Sequence, residues 1–515
     1  MKRRSFIKHA GHCLAIPGIL GSFGFGSAPF SVSKLMQAAQ EMDRVLVLIF
    51  LSGGNDGLNT VVPLSQYGKY HTLRPEVVLP ENSLHKLKGT NLALHPSLGY
   101  LKDLFDEKRL SLVQSVGYPE QNFSHFRSTD IWLSGSRADE YLSSGWTGRY
   151  LNHLFPSYPD GYPNEEFTDP LAIEIGRGGS LLFQGPSSSM GMTISNPEDF
   201  YRLLAEETGV VPNTLAGNKL EHIQLIAQQS QAYGKVVRDA SAKVSTQKNY
   251  PNTQLANQLK IVARLIAGGL KTPVYMVKIG GFDTHASQVD SLDHTKGKHA
   301  TLLSSLNGAI KAFMADLAYL NVDDKVVGMT FSEFGRRIVS NSSYGTDHGA
   351  AAPMFVFGNR VNGGVFGTDP VLPTQRSVNS NIEQQFDFRQ IYSSILEQWF
   401  AVNQMDENSI MLEELETIPI IEDLAFKDIS IERDTLSVFP SPIQDDTRIA
   451  FTADGNPVRV DLYDYMGRHV KLLYKGAPVF GKKMFNWNTR DLQNGVYVVR
   501  VTGSTFSHSR KVVKR

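Results

Sequence analysis

Arg44-Val45-Leu46-Val47-Leu48-Ile49-Phe50-Leu51 runs straight into Ser52-Gly53-Gly54-Asn55-Asp56-Gly57. An uninterrupted apolar run of this length is the pattern of a central strand covered on both faces, because a half-exposed strand alternates apolar with polar residues. The glycines allow a tight turn at its carboxyl end. The same grammar recurs along the chain. A helical stretch from Pro96 to Glu107 leads to a strand at Leu110 to Val116, and then to Ser124-His125-Phe126-Arg127. A helix at Gln254 to Ala267 precedes a strand at Pro273 to Ile279 and Gly280-Gly281-Phe282-Asp283-Thr284-His285. A helix at His299 to Ala318 precedes a strand at Lys325 to Phe331 and Ser332-Glu333-Phe334-Gly335-Arg336-Arg337. The last helix of this part is expected at Arg389 to Phe400.

Alternating helices and apolar strands predict an α/β fold, an open and mostly parallel sheet with helices on both faces. Ligands of such sheets bind outside the carboxyl ends of the strands, where the polar clusters fall. Between residues 136 and 252 Gly, Pro and Ser break the pattern. An insertion is expected there, with one helix capped by Asn196 and running from Pro197 to Thr208 and another from Leu220 to Val244.

The chain has 515 residues, more than one core usually organises, so at least two folded units are expected. Lys plus Arg and Asp plus Glu both total 51, so no overall field steers the molecule toward nucleic acid. The single cysteine, Cys13, excludes cysteine-based catalysis or metal binding elsewhere.

Lys2-Arg3-Arg4-Ser5-Phe6-Ile7-Lys8, followed by a weakly apolar stretch to Phe25, reads as a twin-arginine export signal handled by the twin-arginine translocase. The signal and linker are assigned to residues 1–40, the core to 41–420 and a C-terminal module to 421–515. No later segment is apolar enough to span a bilayer. In the C-terminal module short alternating runs such as Val458 to Tyr463 and Val496 to Val501 are separated by turn residues, which predicts a small all-β sandwich.

That module resembles the type A sorting domain of the type IX secretion system. The likeness is carried by Leu436-Ser437-Val438-Phe439-Pro440, Val460-Asp461-Leu462-Tyr463-Asp464-Tyr465-Met466-Gly467-Arg468, Leu492-Gln493-Asn494-Gly495-Val496-Tyr497 and the basic end Lys511 to Arg515. It implies passage through the periplasm to the cell surface or medium, with the type IX machinery as partner. The core, through Gly53-Gly54-Asn55-Asp56-Gly57-Leu58-Asn59-Thr60-Val61-Val62-Pro63, Ser124-His125-Phe126, Asp283-Thr284-His285, Ser332-Glu333-Phe334-Gly335-Arg336-Arg337, Gly345-Thr346-Asp347-His348-Gly349 and Asp387-Phe388-Arg389, resembles a bacterial family of unknown function related to alkaline phosphatases and sulfatases.

The resemblance implies an alkaline-phosphatase-like core and a divalent metal (zinc, calcium or magnesium) held by Asp56 (or Asn55), Asp283, His285, Glu333, Asp347 and His348. It makes Ser124 the nucleophile, with His125 its rival, and gives His125 or Arg127 the ester's oxygens. Where the superfamily has a histidine this chain has Phe334, which points to one metal or to an oxygen-preferring ion. Plainer readings stand beside these. Ser124 also fits an N-cap, Asp56 a turn residue, and Glu333 an ion pair with Arg336 or Arg337. His95, His294 and His299 are assigned to the surface or to helix contacts. Two functions follow: a metal-dependent hydrolase of small anionic phosphate or sulfate esters, or a non-catalytic exported binding or scaffold protein with the same fold.

Overall fold

The computed structural model describes residues 44–165, 167–176, 178–195, 232–245, 249–422 and, with short breaks, 436–514. The twin-arginine stretch and the helix expected from Pro197 to Thr208 lie outside the described residues; of the helix expected from Leu220 to Val244, residues 232–242 are described and are helical. The chain divides into two compact units between Glu422 and Asp423.

In the first unit β1 (Val45–Ser52) is buried along almost its whole length. A small antiparallel sheet of β2 (Val61–Pro63), β3 (His85–Lys86) and β4 (Leu92–Leu94) follows. The main sheet then takes in β5 (Leu110–Gly117), β6 (Ala172–Ile175), β7 (Met192–Ile194), β8 (Val274–Gly280) and β9 (Val326–Phe331). β10 (Gly335–Asn341) and β11 (Gly345–Gly349) form a separate hairpin, after which β12 (Ala352–Phe357), β13 (Gly364–Phe366) and β14 (Phe386–Asp387) return to the sheet. Its order is β13-β5-β12-β9-β1-β8-β6-β7, with β14 also on β5.

β1 lies parallel to both β8 and β9, so the expected parallel centre is present. β12 departs from it, running antiparallel to both β5 and β9. It therefore returns the chain from the hairpin without a crossover helix, which antiparallel pairing permits. Alternate residues of β1 serve opposite faces. Val45, Val47, Ile49 and Leu51 pack with Leu255, Leu259, Val262, Leu306 and Ile310 of the helices α2 (Gln254–Ala267) and α3 (Lys298–Tyr319). Phe50 stacks instead on Phe331 at 4.8 Å between ring centroids. Trp132 of α1 (His125–Ser134) and Phe388 continue that aromatic layer, at 4.4 Å from one another. The helix expected at Arg389 to Phe400 begins at Phe388 and changes to a π-turn at Ile395–Trp399.

The second unit is all-β. β15 (Leu436–Phe439), β16 (Asp446–Asp454) and β19 (Phe480–Asn488) make one antiparallel sheet; β17 (Val458–Asp464), β18 (His469–Gly476), β20 (Gly495–Thr502) and β21 (Ser507–Lys514) make the other. Val458, Val460 and Leu462 alternate into one core with Ile449, Phe451, Val499 and Val501. That period of two is the reason the module reads as sandwich rather than helix.

Candidate functional site

The carboxyl ends of β1, β8 and β9 meet because Gly53 has no side chain. Its φ is +124°, and a Cβ there would lie 2.3 Å from the Asp283 amide nitrogen. Gly54, at φ +81°, is covered equally closely by the Phe334 ring. Arg336, 1% exposed, sews these ends together: it donates to the carbonyls of Gly53, Gly54, Phe282 and Thr346 and to Asp283 Oδ1 at 2.7 Å.

Around Asp283 three imidazoles gather. His348 Nε2 lies 3.1 Å from Asp283 Oδ1, His285 Nε2 3.2 Å from the same oxygen, and His125 Nε2 3.4 Å from Oδ2. The Nε2 atoms of His285 and His348 are 2.9 Å apart. The opposite nitrogen of every ring is held by an acceptor: His348 Nδ1 by the Phe123 carbonyl, His285 Nδ1 by Asp347 and His125 Nδ1 by Glu333, each at 2.9 Å. Burial would push the Asp283 carboxyl up, but the Arg336 guanidinium, hydrogen-bonded to it, above all holds it down at about 2. Burial lowers His348, which is therefore neutral at pH 7. His125, Asp283 and His348 offer ligand atoms all within 4.8 Å of one another. The Asp283 and His285 side chains are 45% and 46% exposed, so the cluster is open to a ligand from solvent.

Each residue singled out from the sequence thus has a place. Asp283, His285, His348 and His125 converge. Glu333 and Asp347 stand one step back, each gripping an imidazole. Glu333 also accepts the Gly53 amide at 2.8 Å, so it pairs with His125 and the turn while Arg336 pairs with Asp283. Phe334 packs on His125 and His348, with ring centroids at 4.9 and 4.5 Å.

Two assignments are corrected. Asp56 is 1% exposed and its carboxylate accepts from Arg74 and Gln288, not from the cluster. Arg127 donates to the carbonyls of Arg137, Ala138 and Glu140 and lies over Tyr141, pinning the loop after α1. Ser124 occupies the N-cap position of α1, yet its side chain makes no capping hydrogen bond. Of the two placements expected for His95 and His299, helix contact is the one found: both are 1% exposed, and His299 of α3 meets the His95 ring edge-on at 5.7 Å between centroids.

Gln288 has no motif to announce it. Fully buried, it links Asp56 to the hydroxyls of Thr284 and Thr346, the neighbours of Asp283, His285 and Asp347. Phe123 was equally silent: its φ of +48° turns the carbonyl that fixes His348.

Residues 213–408, which contain Asp283, His285, Glu333, Asp347 and His348, match the family model described as Protein of unknown function (DUF1501). The chain carries a DUF1501 domain. Residues 437–515 match the secretion system C-terminal sorting domain, so the DUF1501 domain is joined to a type IX sorting module and the protein is exported to the cell surface or extracellular space. No curated protein matches the chain. Among solved structures it is similar to PorZ of the type IX secretion system of Porphyromonas gingivalis, at 28% identity over 16% of this chain and 12% of that one, with a TM-score of 0.13. It is similar to the PsFucS1 sulfatase from Pseudoalteromonas sp., at 10% identity over 90% and 88% of the two chains, with a TM-score of 0.31. It is also similar to the alkaline phosphatase of the Antarctic bacterium TAB5, at 11% identity over 61% and 91%, with a TM-score of 0.27. No helix among the described residues is long and apolar enough to cross a membrane.

Proposed function

We propose that this protein is an exported metal-dependent hydrolase acting on phosphate or sulfate esters. The observation that carries the reading is the orientation of the three imidazoles. A carbonyl oxygen only accepts, so the proton of His348 is on Nδ1 and its Nε2 presents a lone pair. Asp347, a carboxyl held below its ordinary value by hydrogen bonds from His285 and Asn341 against the effect of burial, places the His285 proton on Nδ1 in the same way. Two lone pairs then face one another at 2.9 Å beside an ionised carboxylate. One shared proton would relieve that pair alone; a cation relieves it together with His125 and Asp283.

Imidazoles whose second nitrogen donates to a carboxylate or carbonyl are the usual form of histidine ligands. His125, Asp283, His285 and His348 would hold the ion, and three nitrogens with one oxygen suit zinc better than calcium or magnesium. His125 thereby supplies the nitrogen that Phe334 does not. When bound, the metal would neutralise the ester's anionic oxygens and lower the pKa of a hydroxyl beside it. Ser124 is the nucleophile in this reading. Its hydroxyl is free of the capping bond, it adjoins His125 in sequence, and the start of α1 favours negative charge.

A panel of aryl and sugar phosphate and sulfate esters tests the proposal. Turnover should appear with at least one, vanish on chelation and return with zinc. Ser124→Ala should cost on the order of 10³-fold or more in kcat, with a stability change below the roughly 0.5–2 kcal/mol of a lost N-cap. A metal-loaded chain that cleaves none of the panel would be a binding or scaffold protein.

A further inference from the structure

The carboxyl edge of the sheet holds a second feature that the imidazole cluster does not use. A cavity of about 910 Å³ opens between the ends of β6 and β8 and the first turns of α2. Its volume falls within the roughly 300–1,000 Å³ of cavities that take small-molecule ligands. Four carboxamides, Asn252, Gln254, Asn257 and Gln258, line it together with Glu174 and Lys278. Each amide offers two donors and an acceptor. Vicinal hydroxyls, each both donor and acceptor, are the complement of such a wall.

Burial pushes the Glu174 carboxyl up to about 7, so at neutral pH it is part carboxylate and part carboxyl, able to accept or to donate a hydrogen bond. Glu174 Oε2 is buried with no hydrogen-bond partner among the described residues, an acceptor waiting for a donor. Gln258, 7% exposed, is set in place by accepting the Lys278 amide at 3.1 Å. Gly176 and Gly280 also border the cavity. Neither has positive φ, and a Cβ built on either meets nothing within 4 Å. Packing therefore does not demand glycine at these strand ends, and a side chain at either would project into open space. From Gly280 to Asp283 is three residues, at most about 11 Å of extended chain.

We propose that this cleft is a subsite for a polyhydroxylated, sugar-type group, the alcohol portion of the ester. Its role in turnover rests on the hydrolase reading above, whereas its ligand class rests on the amides alone. The test separates the two by using neutral probes with no ester to cleave. Saturation-transfer NMR on the full chain, with the methyl α-glycosides of glucose, galactose, mannose and N-acetylglucosamine, should detect binding of at least one. Asn257→Ala, at an exposed helix position, should weaken that binding by about fivefold, the worth of one amide's hydrogen bonding. Gly280→Leu should abolish it by filling the cleft, and Ser124→Ala should leave it unchanged.

Transfer to none of the four glycosides, or equal binding by wild type and both cleft variants, overturns the subsite. If Gly280→Leu does not fold, Asn257→Ala decides. Binding that behaves as expected, in a chain that cleaves neither the phosphate nor the sulfate of the bound sugar, removes the hydrolase reading and leaves the subsite standing.

Discussion

At Asp56 two demands meet. Burial pushes its carboxyl up, while the Arg74 guanidinium and the Gln288 amide hold it below its ordinary value. The ion pair is fully buried, 0% exposed on both sides. Asp56→Asn keeps the shape but leaves Arg74 without its anion, and breaking such a pair costs about 3–5 kcal/mol. Urea unfolding should register that loss, while the folded variant retains its metal, because the carboxylate is held by Arg74 and Gln288 rather than by the imidazoles. A variant of native stability that binds no metal would instead make Asp56 a ligand. The sequence reading went wrong here for a physical reason: the partner, Arg74, sits 18 residues on in a stretch with no motif. Asp283 and His285 stood out because they follow a buried strand, whereas His348, inside β11, stood out only through the motif Gly345-Thr346-Asp347-His348-Gly349. The placing of His125 was not legible, since it depends on Glu333, 208 residues away.

Among the elements, strands were read to within a residue or two wherever both faces are covered, as in β1, β5, β8 and β9. α2 was read to the residue, because Thr253 caps it by accepting from the Ala256 amide and Gly268 follows it. Pairing was beyond reach. The antiparallel insertion of β12 between β5 and β9 depends on what the β10–β11 hairpin does to the chain's direction, and apolar periodicity records only which faces are buried. The turn after β1 is where an element and the site are most tightly coupled. Gly53→Ala adds a Cβ in a left-handed backbone and against the Asp283 amide. Strain of about 1–3 kcal/mol and overpacking of similar size both oppose it. Thermal unfolding should fall by several degrees, and metal affinity should fall with it as the β8 end is displaced. Native stability with native metal affinity would show that the turn has slack.

For the molecule as a whole, the two units have separate cores, one built on the nine-stranded sheet and one within the sandwich. The sorting module has no part in the imidazole cluster. Deleting residues 436–515 should therefore leave the cluster-bearing unit folded with its native melting temperature, and strand it in the periplasm. Normal delivery of the truncated chain to the surface or medium would show that the module is not what sorts it. The central claim concerns the metal, and elemental analysis of the purified full chain tests it most directly, beside a His285→Ala and His348→Ala double variant. The account predicts one zinc per native chain and none in the double variant, with both folded. A native chain free of metal after exposure to zinc, or a double variant that binds zinc as well as the native chain, would contradict it.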